Sequence, residues 1–174
     1  AWDGARLVVA DRGNHRLQMH AADGTLLGTW GVHARRPREA GGVIHDPAAL
    51  AFDPAGRYLA LVEPFEDRVQ LFARDPAPAD AARPRMPMIP RDPHFGRRVA
   101  ADGPLIVLAE PEAHRVHLFD GRRTTPVLVG DFGERGEGFG LLLRPEGLAL
   151  DAEAGLIHVG DAAKLRLQRF RVAW

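Results

Sequence analysis

Residues 9–31 read VADRGNHRLQMHAADGTLLGTWG. Asp11 precedes Arg16, with four residues between them. RLQMH (16–20) then alternates: Leu17 and Met19 face one way, and Arg16, Gln18 and His20 the other, which is the period of a strand. Asp23–Gly24 is a turn pair. LLGTWG (26–31) is a further strand and closes on Gly-x-aromatic-Gly. LVVA (7–10) stands just ahead of the acid, so three strands and two tight connections follow one another.

The same pattern recurs along the chain. The acid and the arginine return as Glu63–Arg68 (EPFEDR), Glu110–Arg115 (EPEAHR) and Asp161–Arg166 (DAAKLR). Each arginine opens a similar strand: RVQLF, RVHLF or RLQRF. The period is roughly 50 residues, which marks one small structural unit used repeatedly. A catalytic group is needed once, so a pair present in every unit reads as structural. Each guanidinium is expected to bond its acid or a turn carbonyl and fix the loop between two strands.

Aligned on the arginine, each unit shows up to four strands. The first is AALAFD (48–53), RVAAD (98–102) and EGLALD (146–151). Asp53, Asp102 and Asp151 close these strands and are expected to cap the turns that follow. The second strand is LVVA (7–10), YLALV (58–62), LIVLA (105–109) and LIHVG (156–160). Such nearly continuous apolar runs predict strands buried on both faces. The third begins at the arginine. The fourth is LLGTWG (26–31) and VLVGDFG (127–133), with RMPMI (85–89) as an edge candidate in the second unit. No segment keeps a helical period. The predicted fold is therefore all-β: four-stranded antiparallel sheets arranged radially as the blades of a β-propeller.

Residues 9–31 resemble an NHL repeat: acid, Gly-Asn-x-Arg, a short strand, Asp-Gly, then Gly-x-Trp-Gly. FGERGEGFGLLLRPEGLALD (132–151) resembles the Gly-rich loop and Pro-x-Gly strand that join NHL blades. The units at 47–72 and 95–119 keep the pattern and lose the Gly-Asn. The resemblance implies a six-bladed propeller. This chain offers about four blades in one domain spanning 1–174, with repeats near 1–31, 47–94, 95–133 and 145–174. The first lacks its first strand and the last ends after its third. Such a section leaves bare blade faces. It is expected to be a fragment, or to be completed by further sequence or by another chain, with a closed four-bladed ring as the remaining option.

Composition bounds the function. Lys+Arg and Asp+Glu are both 23, so no global field steers a polyanion. Only Lys164 is a lysine, and the chain has no cysteine and no serine. That excludes a disulfide framework, a thiolate zinc site and a serine triad within the chain. The apolar runs are too short to span a bilayer, and no signal peptide is visible in this range. Of the eight histidines, His15 and His114 are equivalent by repeat. No HExxH and no cysteine accompanies them, so no zinc signature is present. Gly136, Gly138 and Gly140 precede a strand, not a helix, and read as an inter-blade loop.

Arginines cluster where the repeat does not explain them: Arg35, Arg36 and Arg38 in one loop, and Arg83, Arg85, Arg91, Arg97 and Arg98 near a proline-rich stretch. These rim loops are the expected binding surface, bonding carboxylates or phosphates of a partner. The leading function is a non-catalytic interaction or scaffold module for another protein. The alternative is a metal-dependent hydrolase. Lactonase-type propellers carry a metal-binding Glu-Gly comparable to Glu146–Gly147. Phytase-like propellers carry acidic clusters resembling Asp151-x-Glu153, which bind calcium. Glu146, Asp151 and Glu153 would be the ligands. A third option is RNA on a basic face, as some NHL propellers bind it; scarce lysine and no interleaved aromatic platform speak against that.

Overall fold

The computed structural model describes residues 1–36, 42–53, 58–66, 68–73, 98–122 and 127–173. The first sheet is β1 (Arg6–Asp11), β2 (Arg16–Ala21) and β3 (Leu26–Trp30), in that order. Two short strands, β4 (Val32–His33) and β5 (Val43–Ile44), then pair in parallel. The second sheet is β6 (Ala49–Phe52), β7 (Tyr58–Glu63) and β8 (Arg68–Ala73). The third holds β9 (Arg98–Asp102), β10 (Leu105–Glu110), β11 (Arg115–Asp120) and β12 (Val127–Phe132). The last is β13 (Pro145–Asp151), β14 (Leu156–Asp161) and β15 (Arg166–Arg171). These four sheets are called blades 1 to 4. Among the described residues only blade 3 shows four strands. The RMPMI candidate lies outside the described residues.

Within each blade the register puts the acid opposite the arginine: Asp11 faces Arg16, Glu63 faces Arg68, Glu110 faces Arg115 and Asp161 faces Arg166. The spacing is a hairpin whose connecting turn is a short 3-10 turn at Arg12–Asn14, Pro64–Glu66 and Ala162–Lys164. Gly31 and Gly133 end the Gly-x-aromatic-Gly motif with φ of +101° and +96°. A Cβ at Gly133 would lie 2.7 Å from the His114 carbonyl, so both conformation and space require glycine there.

Burial follows the period of two. In β7, Tyr58, Ala60 and Val62 pack toward Ile106 and Leu108 of blade 3. The alternate residues Leu59 and Leu61 pack toward Val8 and Leu17 of blade 1. In β10, Leu105, Val107 and Ala109 turn to Ile157 and Val159 of blade 4. Three apolar cores thus sit between successive blades. Each aliphatic side chain so buried contributes about 1.5–3 kcal/mol.

The terminal blades depart from the prediction of burial on both faces. In β1 Val8 is buried, but Leu7 and Val9 are 41% and 37% exposed. In β14 Ile157 and Val159 are buried, while Leu156 and His158 are half-buried. A run of apolar residues does not say whether a neighbouring sheet covers its second face. No helix among the described residues is long and apolar enough to cross a membrane.

Candidate interaction site

In blades 1, 2 and 4 the acid and the arginine work with the glutamine two beyond the arginine. In blade 2, Arg68 Nε donates to Glu63 Oε2 (2.7 Å). Gln70 Nε2 donates to the same oxygen. The group then holds the backbone of the segment that enters the blade. Gly42 N–H donates to Gln70 Oε1 (3.0 Å), and His45 N–H donates to Glu63 Oε1 (2.7 Å). Arg68 Nη2 and Gln70 Nε2 both donate to the Val43 carbonyl (2.7 and 2.9 Å). Glu63 and Arg68 side chains are 0% and 2% exposed.

Blade 4 repeats these backbone contacts position for position. Gly140 N–H donates to Gln168 Oε1 (2.9 Å), and Leu143 N–H donates to Asp161 Oδ1 (3.1 Å). Arg166 Nη2 and Gln168 Nε2 both reach the Leu141 carbonyl at 2.7 Å. The Gly-rich loop is therefore the clasped inter-blade segment. Gly42 and Gly140, Val43 and Leu141, and His45 and Leu143 are equivalent. Their shared requirement is an N–H, a carbonyl and an N–H at positions one, two and four.

Blade 1 carries the same clasp half-set. Arg16 Nε and Gln18 Nε2 both donate to Asp11 Oδ2 at 2.8 Å, and Asn14 Nδ2 supports the carboxylate at 2.9 Å. The Arg16 bond, then Asn14, hold the Asp11 carboxyl below its usual range despite some burial. Arg16 is 41% exposed and Asp11 18%. Among the described residues no backbone segment crosses them. Leu7, Val9 and Leu26 lie beside the group, on the face shared with Gln18 and His20.

Blade 3 corrects the expected pair. Arg115 bonds Asp131 on β12 rather than Glu110. His117, standing where the others have Gln, donates from Nε2 to Glu110 (2.8 Å).

Of the predicted rim arginines, Arg35 and Arg36 are exposed, directly after β4. Arg38, Arg83, Arg85, Arg91 and Arg97 lie outside the described residues. Arg98 starts β9 and lines an open pocket of about 350 Å³ with Glu146, Gly147 and Arg166. Glu146 pairs there with Arg144 (2.6 Å). Asp151 closes the far end of the same strand, where its Oδ1 accepts the Ala154 N–H (2.9 Å) as a turn cap. Asp102 departs from that expectation: its carboxylate accepts the Ala152 N–H in the turn of the next blade (2.7 Å). Among the described residues Glu146, Asp151 and Glu153 do not gather into a cluster that could hold an ion.

Three histidines do gather. One ring nitrogen each from His15, His33 and His45 lies within 4.8 Å of the others. Only His15 follows from the repeat. The meeting of His33 and His45 depends on the β4–β5 parallel pair, which no local pattern announced. Burial, and then the nearby His33 and His45, hold the His15 imidazole below its ordinary pKa, against the pull of Asp46.

No protein-family model matches the sequence, and no curated protein does. Solved structures do. A putative 6-phosphogluconolactonase from Bacteroides uniformis superposes with a TM-score of 0.65 at 14% identity, over 99% of this chain and 52% of that one. Hydrazine synthase from Kuenenia stuttgartiensis gives a TM-score of 0.63 at 13% identity, over 90% of this chain and 39% of that one. These neighbours are propeller-type folds, and the chain shares that class of architecture. It spans about half the length of the first and less of the second. At such identity the likeness speaks for the fold alone.

Proposed function

We propose that this chain is an NHL-type propeller section that acts without catalysis, as a module that binds protein. The surface is the open face of blade 1, with Asp11, Arg16 and Gln18 as the bonding group and Leu7, Val9 and Leu26 as the apolar floor. The occupant is an extended, glycine-led segment of the kind the chain itself supplies at 42–45 and 140–143, brought by further sequence of the same protein or by another chain. The observation that carries this is the in-register repetition: two clasps hold a backbone, and a third has the same internal bonds. Its carboxylate already fixes Arg16 and Gln18, so little side-chain entropy is lost on binding. Arg35 and Arg36, both exposed, are the rim residues proposed to bond a partner's carboxylates. The hydrolase reading is weakened because the Glu146 carboxylate is engaged by Arg144.

The test is a titration of the chain with a synthetic peptide of residues 136–147, GEGFGLLLRPEG, followed by fluorescence anisotropy. Saturable binding is expected. It should weaken on the order of tenfold or more in Arg16→Ala with Gln18→Ala. A peptide with Gly140→Pro, which lacks the first N–H, should weaken similarly. Absent binding, or equal binding in all three cases, overturns the proposal.

A further inference from the structure

The junctions before blade 2 and before blade 4 are built alike, so their side chains can be compared position by position. His33 pairs with Ile44 as Arg135 pairs with Leu142. His45 donates its N–H to the blade's acid as Leu143 does. Glu66 and Lys164 occupy the same place in the turn before the arginine. His15 and His114 are equivalent, each with positive φ (52° and 60°). One junction thus carries His, His, His and Glu, the other His, Arg, Leu and Lys. Three of these four positions differ. At the first junction, cationic and apolar groups give way to imidazoles and a carboxylate. The repeat accounts for the backbone and leaves these side chains unexplained.

We propose that His15, His33 and His45 form a binding site for a divalent transition-metal ion of the zinc, nickel or copper class, with Glu66 as a positioning carboxylate. Neutral imidazoles suit such ions, and three of them suffice for a site that keeps one position for water. His45 Nδ1–H donates to Glu66 Oε1 (2.6 Å), whose side chain is fully buried. That bond selects the tautomer in which His45 Nε2 presents its lone pair, the usual support of a metal-bound histidine. Phe65 packs edge-on against the same ring at 4.6 Å and restricts its rotation. His33 is exposed and opens the site to solvent.

Two features define what binding must change. The His15 and His33 rings are stacked, 3.8 Å apart and within 1° of parallel. A ring nitrogen's lone pair lies in the ring plane, so parallel planes do not meet at one ion. The pair must turn apart, and the nitrogens must close from 4.8 Å or less to the separation set by metal–nitrogen bonds of about 2.0–2.1 Å. His15 Nδ1 also accepts the Asp46 N–H (3.0 Å), and that bond gives way when the ring reorients. Asp46 itself stays anchored by Arg12 (2.5 and 2.6 Å).

The test titrates the chain with zinc chloride, or with nickel chloride, in chelator-free buffer. Calorimetry reads the stoichiometry, and NMR reads histidine ring nitrogens and the Asp46 amide. One ion per chain is expected. Ring signals of His15, His33 and His45 should shift together, with the Asp46 amide and without His114 or His158. His33→Ala, at an exposed position that does not endanger folding, should weaken binding at least a hundredfold. Glu66→Gln should weaken it 10–100-fold, and His114→Ala should leave it unchanged. No saturable binding, unchanged binding in His33→Ala, or equal loss in His114→Ala overturns the inference.

Discussion

Blades 1 and 2 hold the same kind of bonding group, an acid with an arginine and a glutamine, built on Asp11 in one and on Glu63 in the other and set in different surroundings. Glu63, Arg68 and Gln70 are sealed beneath the segment at 42–45, with apolar cores on both sides. Asp11, Arg16 and Gln18 keep the arginine and glutamine bonds to one carboxylate oxygen, with one face open. The comparison teaches that the acid and arginine are not a surface ion pair that happens to repeat. They are a device for holding a neighbouring backbone, and its energetic weight depends on whether that backbone is present.

The largest expected effect tests this directly. Arg68→Ala leaves Glu63 buried without its cation and should cost about 3–5 kcal/mol. Arg16→Ala removes an exposed pair and should cost no more than about 1 kcal/mol. Urea denaturation of both variants measures the gap; equal losses would break the comparison. A second contrast concerns the cores. Leu61→Ala, between blades 1 and 2, should cost about 2–5 kcal/mol, whereas Val9→Ala on the open face should stay within about 0.5 kcal/mol. If a partner covers blade 1, adding it should raise the cost of Val9→Ala.

The smallest effect lies at the turn before β1. Burial alone would raise the Asp3 carboxyl, but the Ala5 and Arg6 N–H groups and the Arg6 guanidinium outweigh it and hold the group at about 2. A carboxyl depressed in the folded state stabilises it at pH above the unfolded value and loses that contribution as pH falls toward 2. Asp3→Asn should therefore flatten the stability profile between about pH 4 and 2 and leave its shape near neutrality. An unchanged acid limb in chemical denaturation at stepped pH would show that the turn contributes nothing there.

Much of the fold was legible beforehand because its signals are local. Strand alternation at RLQMH, the Asp–Gly turn and the recurring acid and arginine each involve residues a few positions apart, and they placed the strands to within a residue or two. The strand that follows the Gly-rich loop marks it as inter-blade. The site was less legible for the opposite reason. Gln70 and Gln168 look like ordinary strand residues until the segments at 42–43 and 140–141 are laid across them. His15, His33 and His45 are spread over three separate loops and strands, with no spacing that announces a common point. Glu66 reads as a surface acid, and only the packed turn shows it buried against His45.

By itself the sequence determined the repeat, the all-β character, the positions of the hairpins and the exclusion of thiol and serine chemistry. These follow from the period of two, from turn residues and from composition. Tertiary structure alone decided which apolar faces are covered, which two of three matching clasps are closed and which histidines meet. Those outcomes depend on contacts between blades, whose partners lie tens of residues apart and leave no periodic trace in the chain.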